Sequence, residues 1–465
     1  MLINPIFFKS KKTPILLSLI SIFCCYFFAY HLERTQAFLL ISLYIALFVL
    51  FYFIVKYSKN SFRLLILLAL IIRLVFLFAI PNLSQDFYRF IWDGYLVLDG
   101  INPYLSTPFS YIEAKAYVVP QAQTLYDGMG QLNASHYSNY PPLNQLFFAL
   151  ANLCPGSSIL SSVIGLRLVI IAADFGTLYF GKRLLKALNL PVNRIWWYVL
   201  NPFIIIEFTG NLHFEGVLIF FLIWSLYLLQ KSKYLWSAVL LGCSISVKLI
   251  PLMFLPLFIN YFSKNDKFSF KTIAWKTLIG YYAVVIFIIL LFFLPFYDQE
   301  FIINYSKSVG LWFGKFEFNA SIYYLLRAIG YWFTGYNEIK IISKILPIVV
   351  MLFILYQSYK IRAYTIEKLI KSMLMVLSVY LFLSTTVHPW YISILVVLCL
   401  FTHYRFPLVW SFVIVLSYLS YLSIGNSEKS ENLYLIALEY LIVFGALWFD
   451  FKKKTSKICS KIKPI

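Results

Sequence analysis

The sequence has little charge and few cysteines for its length. Only 12% of its 465 residues are Asp, Glu, Lys or Arg, against 61% hydrophobic residues and a mean hydropathy of +0.80. This balance excludes an ordinary soluble globular domain. The six cysteines lie in or beside apolar runs or in the basic tail, with no paired spacing. They therefore indicate neither a disulfide framework nor a zinc site.

Long apolar runs dominate the chain. A membrane-spanning helix needs roughly 20 apolar residues, and nine runs approach that length: 14–30, 37–55, 64–80, 159–180, 274–296, 341–359, 373–387, 406–422 and 433–449. With shorter apolar segments they predict an all-α, polytopic transmembrane helical bundle of about 12 to 14 helices. We expect one integral membrane domain over 1–465, divided into N-terminal spans (1–80), an outer loop (81–140), core spans (141–296) and C-terminal spans (297–465).

The net charge of +20 lies in short basic clusters between apolar runs. This pattern argues against a nucleic-acid partner, which would favour one exposed basic stripe. By the positive-inside rule the clusters face the cytoplasm, so both termini are expected inside a multi-pass inner (plasma) membrane protein. The segments that are polar without being basic then emerge on the outer face: 82–140, 210–215, 297–319 and 385–391. We expect the first of them to fold as short amphipathic helices on the membrane surface.

That first outer loop opens with a regular spacing of charges. Asp86, Arg89 and Asp93 are spaced i, i+3 and i+7, so on a helix they share one face. A carboxylate at the lipid boundary is costly unless it is paired or functional, and a neighbouring arginine favours its ionised form. The spacing alone fits a functional carboxylate and a structural Asp–Arg pair equally well.

Four further polar residues stand out in apolar surroundings. His213 and Glu215 are close enough to suggest a pair of metal ligands, but no further ligand follows at a suitable spacing, so we expect no metal. A hydrogen-bonded pair that contacts sugar hydroxyls is the favoured interpretation. Lys248 lies between two short apolar halves, where a lysine marks either an anionic partner or a structural side chain that reaches for the interface. His388 precedes Pro389 and Trp390, which fits a ligand contact or an interfacial aromatic belt.

The loop motif also supports a family resemblance. The run D-x-x-R-x-x-x-D-G-x5-G-x-N-P-Y, from Asp86 to Tyr104, resembles the first outer loop of bacterial mannosyltransferase-like proteins of the GT-C superfamily, in particular the polyprenyl-phosphate-mannose-dependent group. Tyr140-Pro141-Pro142-Leu143 is similar to the start of the helix that follows this loop. Glu207 and the segments 201–202, 210–215, 246–251, 316–321 and 386–391 are also similar.

The resemblance implies a GT-C-type fold and a glycosyltransferase. The reaction would move a hexose, with mannose the expected sugar, from a polyprenyl-phosphate carrier to a hydroxyl of an extracytoplasmic lipid or glycan acceptor, by an inverting single displacement. The catalytic base would be Asp86, with Asp93 the second candidate. No cofactor is expected, and a donor with one phosphate need not use a divalent metal. The residues expected to bind substrate are Arg89, His213, Glu215, Lys248, Glu317, Asn319, His388 and Tyr391.

Two other functions fit the same composition. A transporter or flippase of lipid-linked sugars would share the apolar content and the buried Lys248, but such proteins usually show two related halves, which this sequence lacks. A non-catalytic assembly subunit with a degenerate GT-C fold is the third interpretation. Loss of all transfer in Asp86→Asn would separate the enzyme from both.

Overall fold

The computed structural model describes residues 12–58, 61–263, 270–314, 316–360, 365–421 and 431–459. Within these ranges the chain is helical and contains no β-strand, only two isolated bridges. The all-α class expected from the sequence is therefore confirmed. The chain divides into two compact units: one combines Met1–Lys186 with Pro191–Phe220, and the other combines Ala187–Leu190 with Phe221–Ile465.

The first unit begins with membrane-type helices and ends in a broken one. Its helices are α1 (Lys12–Tyr30), α2 (Ala37–Ser58), α3 (Phe62–Val75), α4 (Asp86–Leu98), α5 (Pro108–Glu113), α6 (Ala122–Ala134), α7 (Pro142–Asn152), α8 (Ile159–Ala187), the 3-10 turn Val192–Ile195, α9 (Trp196–Val199), α10 (Pro202–Ile204) and the π-helix Ile205–Gly210; α11 (Glu215–Gln230) follows. The outer loop thus forms three short helices, α4 to α6, as the sequence predicted.

A buried ion pair ties the spans of the first unit together. Arg73 of α3 donates from Nε to Asp174 Oδ2 of α8 at 2.9 Å, and from Nη2 to the carbonyl of Val199 at 3.0 Å. Both charged side chains are fully buried. Because a lone charge in this environment is very costly, each residue makes the other tolerable and fixes the register of α3 against α8.

The second unit continues with α12 (Tyr234–Val247), the 3-10 helix Ile250–Leu257, α13 (Phe258–Tyr261), the 3-10 turn Phe270–Thr272, α14 (Trp275–Phe293), the 3-10 turn Leu294–Phe296, α15 (Gln299–Gly314), α16 (Ile322–Thr334), α17 (Ile339–Lys360), α18 (Ile366–Leu383), the 3-10 turn Pro389–Ile392, α19 (Ser393–Cys399), α20 (Phe406–Val413), the 3-10 helix Ile414–Tyr421 and α21 (Leu433–Cys459). Helices α12 and α14 pack closely, with Ser237 Oγ 3.0 Å from Tyr281 Oη.

Six of the described helices are long and apolar enough to cross a membrane, or seven if one bent pair counts as a single span. The six are 12–30, 37–58, 159–187, 275–296, 339–359 and 433–452, and the bent pair joins Pro202–Gly210 to Glu215–Gln230 at 116°. Four shorter apolar helices accompany them. The count of 12 to 14 expected from the sequence included such short segments. The chain is therefore a membrane protein, and its sidedness stays a prediction.

Candidate active site

Asp86 occupies the first turn of α4. It is the first residue of the helix and is partly buried, and its amide donates to Ser84 Oγ at 3.4 Å. The preceding residue, Gln85, fixes this end of the helix because its Nε2 donates to the carbonyl of Met129 at 2.9 Å. A helix N-terminus stabilises a nearby negative charge. The sequence-predicted base thus lies where the backbone favours a carboxylate anion.

Asp93, the second candidate base, is fully buried in a hydrogen-bond network. Arg89 Nε donates to its Oδ1 at 2.7 Å, while Ser138 Oγ and Gln145 Nε2 donate to its Oδ2 at 2.6 and 3.2 Å. Arg89 Nη1 also donates to the backbone carbonyls at 133 and 136, at 3.0 and 2.8 Å. These bonds hold α4 to α7 and to the end of the outer loop. Arg89 and Asp93 are therefore the anchor of the motif.

Gly94, next to Asp93, is required by a close helix contact. A Cβ at this position would lie 2.5 Å from the carbonyl oxygen of Phe148 in α7, closer than real Cβ atoms come. The same two helices are joined by Asn152 Nδ2, which donates to the carbonyl of Ile91 at 2.8 Å. Gly100, later in the motif, has φ of +71°, in the left-handed region that favours glycine. The two glycines of the motif are thus required by helix packing and by backbone conformation.

Four aromatic rings bring three of the sequence motifs together. Phe90 of α4 packs on Phe148 of α7 with ring centroids 4.6 Å apart, and on Tyr140 at 4.9 Å. Phe214 packs edge-on against Phe148 at 5.1 Å and against Phe90 at 5.8 Å. Phe90 lies one helical turn after Asp86. The outer loop, the segment at Tyr140 and the segment 211–215 therefore meet at one cluster in the first unit.

The segment 211–215 is the break in a bent helix. The π-helix Ile205–Gly210 ends there and α11 begins at Glu215. Arg167 of α8 caps the break: its Nε donates to the carbonyl of Thr209 at 2.7 Å and its Nη2 to that of Gly210 at 3.3 Å. Helix breaks inside membrane bundles and π-helices are both common at functional sites, because they expose backbone groups and reorient side chains.

Several buried polar side chains lie on both sides of the break. The backbone amide of His213 donates to the carbonyl of Glu207 at 3.1 Å, and the ring Nε2 of His213 lies 3.6 Å from Glu207 Oε2. Asn211 Nδ2 donates to the same carboxylate oxygen at 3.3 Å. Glu215, which the sequence paired with His213, is buried in the first turn of α11. Glu207 was among the residues similar to the family but was not predicted as a site residue, although an acidic residue inside an apolar run was a signal for a function.

Three predicted substrate-binding residues lie together in the second unit. Lys248 follows α12 directly, and its Nζ lies 5.0 Å from the centre of the Tyr391 ring. The His388 ring packs edge-on against Tyr391 at 5.3 Å and is stacked on Trp390 at 4.6 Å. Burial, and to a lesser extent the positive charge of Lys248, lowers the pKa of His388 to about 3, so the imidazole is neutral at ordinary pH. The sequence assigned all three residues to substrate binding, but it could not give their contacts.

The segment 316–321 joins this group through backbone pairing. The amide of Phe318 donates to the carbonyl of Thr385 at 3.1 Å, and the amide of Val387 donates to the carbonyl of Phe318 at 2.8 Å. The Phe318 ring stacks on His388 at 5.0 Å. Two motifs of the family resemblance, 316–321 and 386–391, are thereby held side by side.

Glu317 and Asn319 are both engaged in protein contacts. Glu317 accepts hydrogen bonds from Tyr323, Arg327 and Asn337. The backbone amide of Asn319 donates to Glu431 Oε1 at 2.8 Å, and the side-chain Nδ2 of Asn319 donates to Glu439 Oε1 at 3.2 Å. Both glutamates come from the far end of the chain, and sequence reasoning missed them because it had no means of pairing them with Asn319. Across the described ranges no three His, Cys, Asp or Glu side chains group as metal ligands.

The all-helical membrane bundle and the carboxylate motif that follows its third helix are typical of membrane glycosyltransferases of the GT-C type. Residues 23–263 match the family described as alpha-(1->6)-mannopyranosyltransferase, N-terminal domain, and the chain belongs to this family. The match includes Asp86, Asp93, Glu207, His213 and Lys248 and confirms the resemblance inferred from the motifs.

Individual relatives agree with this assignment. The chain is 23% identical over 181 residues to alpha-(1->6)-mannopyranosyltransferase A of Corynebacterium glutamicum, covering 39% of this chain and 35% of that protein. It is 22% identical over 173 residues to the protein of the same name from Mycobacterium tuberculosis, covering 37% and 32%. GPI mannosyltransferase 1 of Kluyveromyces lactis is 25% identical over 237 residues, covering 50% of each chain. The chain thus spans about a third to a half of the length of these curated relatives.

Proposed function

We propose that this chain is a membrane mannosyltransferase. It transfers a mannosyl residue from a polyprenyl-phosphate carrier to a hydroxyl of an extracytoplasmic lipid or glycan acceptor. Family membership and the names of the relatives support the sugar and the reaction class. The observation that carries the assignment of the base is the contrast within α4. Asp93 is fully buried and its carboxylate accepts hydrogen bonds from three side chains, whereas Asp86 is partly buried at the helix N-terminus.

The reaction is a single displacement with inversion. The carboxylate of Asp86 accepts the proton of the acceptor hydroxyl while the oxygen attacks the anomeric carbon, and the bond from that carbon to the phosphate oxygen breaks. The phosphate leaves on its polyprenyl carrier with the bonding electron pair. A cationic side chain stabilises the negative charge that develops on the phosphate oxygen.

We assign the donor phosphate to Lys248. Arg89 was the other candidate, but its Nε and Nη1 are held by Asp93 and by two backbone carbonyls. Lys248 is partly buried beside Tyr391 and the neutral His388, and an ammonium group in such surroundings attracts a phosphate strongly because little water competes. The hydroxyl of Tyr391 can donate a second hydrogen bond to the same group.

The site is proposed to face away from the cytoplasm, because polyprenyl-phosphate sugars serve acceptors on the outer side. Reporter fusions after Gly100, Asn211 and Asn319 are then expected outside, and fusions after Lys186 and Lys454 inside. A cytoplasmic result after Gly100 would remove the basis for this donor and point to a nucleotide sugar.

The decisive experiment is a transfer assay on purified protein with a synthetic polyprenyl-phosphate mannose. Asp86→Asn keeps the side-chain shape and abolishes its basicity, so turnover should fall by about 10²- to 10⁴-fold while donor still binds. Asp99→Asn is the matched control, because Asp99 is an exposed carboxylate at the end of the same helix. Wild-type turnover in Asp86→Asn would show that the base has been assigned to the wrong residue.

Transport of lipid-linked sugars is a second candidate, favoured by the bent pair Pro202–Gly210 and Glu215–Gln230. Transporters build their sites at such breaks, usually at matching positions in two repeats. Within the described ranges the bend occurs once. Reconstituted liposomes that move a fluorescent lipid-linked sugar across the bilayer without transferring it would favour this function over the enzyme.

A further inference from the structure

Helix α16 (Ile322–Thr334) presents an exposed apolar stripe. Leu325, Ile329, Trp332 and Phe333 follow one another at helical spacings and lie on one side of the helix, and Tyr336 comes just after its end. All five are exposed, with Trp332 at 83% and Phe333 at 76%. Large aromatic side chains at such exposure are rarely left facing water, so something covers this stripe.

The opposite face of α16 is fixed by protein contacts. Tyr323 is fully buried in a cluster with Ala320 and Leu346, the latter from α17. Arg327 pairs with Glu317, and the hydroxyl of Tyr324 donates to Glu431. The helix therefore cannot rotate to hide its stripe without losing these bonds. The orientation of the exposed face is set by the fold.

The length and position of α16 indicate what covers the stripe. Thirteen residues make a helix of about 20 Å, too short for a hydrocarbon core of about 30 Å. The helix stops at Gly335, whose φ of +78° ends it in the left-handed conformation. The candidate span α17 begins at Ile339, four residues later, so α16 lies within one short turn of the end of a span.

We propose that α16 lies in the membrane–water interface, with its stripe among the acyl chains and headgroups of the lipid. Trp332, Phe333 and Tyr336 supply the amphipathic rings that favour this depth, while Arg327 stays on the protein side. The candidate span α17, which follows directly, also carries exposed apolar side chains from Ile341 onward, so exposed apolar surface continues along the chain from α16 into a spanning helix. This continuity with a spanning helix identifies lipid, rather than a second copy of the chain, as the occupant.

Lipid contact by α16 also sets the depth of the segment 316–321. Because Glu317 is bound to Arg327 and to Tyr323 on α16, that segment is held at the level of the lipid headgroups. This consequence does not depend on the enzymatic function proposed above. It follows from the lipid contact of α16 alone.

Fluorescence quenching by brominated lipids tests the proposal. The full-length protein is reconstituted in vesicles whose phosphatidylcholine carries bromine either near the headgroup end or near the far end of the acyl chain. Trp332→Phe, a mild change at an exposed site, is expected to remove quenching mainly in the first vesicles. Trp196→Phe is the control, because Trp196 is fully buried and its loss should leave the amount of quenched fluorescence unchanged in both kinds of vesicle.

Two results would overturn the inference. If Trp332→Phe removes no quenching in either vesicle, the stripe does not contact lipid, and cross-linking of two copies through Phe333→Cys would then detect a protein partner. If quenching is lost mainly with the deep bromine, α16 is inserted as part of a span. Circular dichroism of both variants verifies that the fold is retained, so a folding failure is not mistaken for either result.

Discussion

Gly94→Ala tests the contact that fixes the motif helix α4 against α7. A Cβ at Gly94 would approach the carbonyl oxygen of Phe148 to 2.5 Å and its carbonyl carbon to 2.6 Å. The distance to the oxygen is about 0.9 Å shorter than ordinary van der Waals contact. The clash is with backbone, so no side-chain rotation relieves it and the two helices must separate.

The expected change in the free energy of unfolding combines two destabilising effects and one stabilising effect. Overpacking of this kind costs about 1–3 kcal/mol. Separation of the helices also weakens the hydrogen bond from Asn152 to Ile91 and the one from Gln145 to Asp93, which adds about 1 kcal/mol. Alanine favours the helix over glycine by about 1 kcal/mol, which offsets part of the loss. We expect a net destabilisation of about 1–3 kcal/mol.

The assay is unfolding of purified protein in detergent, with Gly280→Ala as the matched control. Gly280 lies inside α14, and no atom comes within 4 Å of the position that an alanine methyl group would take there. Alanine at this position should therefore be neutral or stabilising by up to about 1 kcal/mol. If Gly94→Ala were as stable as Gly280→Ala, the close approach of α4 to α7 would be wrong, and with it the structural explanation of the Asp-Gly motif.

Three further predictions concern buried charge. Asp93→Asn should destabilise the protein by roughly 3–5 kcal/mol in the same unfolding assay, because it leaves Arg89 buried without its counter-ion; wild-type stability would make Asp93 a candidate base again. Lys248→Met should raise the KM for donor about tenfold or more, through loss of a charged contact, with unchanged unfolding; an unchanged KM would make Lys248 structural. The pKa of His388 is lowered from 6.5 to about 3 in the folded protein. At a pH between these two values the imidazole is protonated in the unfolded chain but not in the folded one, so the stability of the fold falls as the pH drops. The slope is at most about 1.4 kcal/mol per pH unit, and it should decrease in His388→Gln when unfolding is compared at pH 5 and 7. An identical slope would contradict the lowered pKa of His388.

Local patterns in the sequence predicted local structure well. Six of the nine apolar runs became helices long enough to span a membrane, whereas the runs 64–80, 373–387 and 406–422 did not. The spacing of Asp86, Arg89 and Asp93 placed them on one helix, where Arg89 and Asp93 form an i, i+4 pair. Helical periodicity is a property of neighbouring residues, so it can be read without knowing the tertiary structure. The choice between Asp86 and Asp93 could not be made in this way. It depends on Ser138 and Gln145, whose approach to Asp93 only the folded loop determines.

Contacts between distant segments were beyond the sequence. The amide of Asn319 is bound by a glutamate 112 positions away, and nothing in either segment encodes that pairing. Glu207 was visible as an acidic residue in an apolar run, but its bond to Asn211 depends on the π-helix that turns both toward the break. Helical propensity does not predict such a π-helix, because it arises from packing and not from local preference.

The cap that Arg167 makes on the broken helix has a consequence for biosynthesis. A helix that ends in apolar surroundings carries carbonyl groups that lipid or apolar side chains cannot satisfy. Arg167 belongs to α8, which leaves the ribosome before the π-helix Ile205–Gly210 does. The arginine is therefore synthesised before the carbonyls of Thr209 and Gly210 that it binds. If the chain is expressed as two fragments divided between α8 and α9, this order has to be re-created. Folding of the C-terminal fragment should then be rescued by co-expression only when the N-terminal fragment is made first.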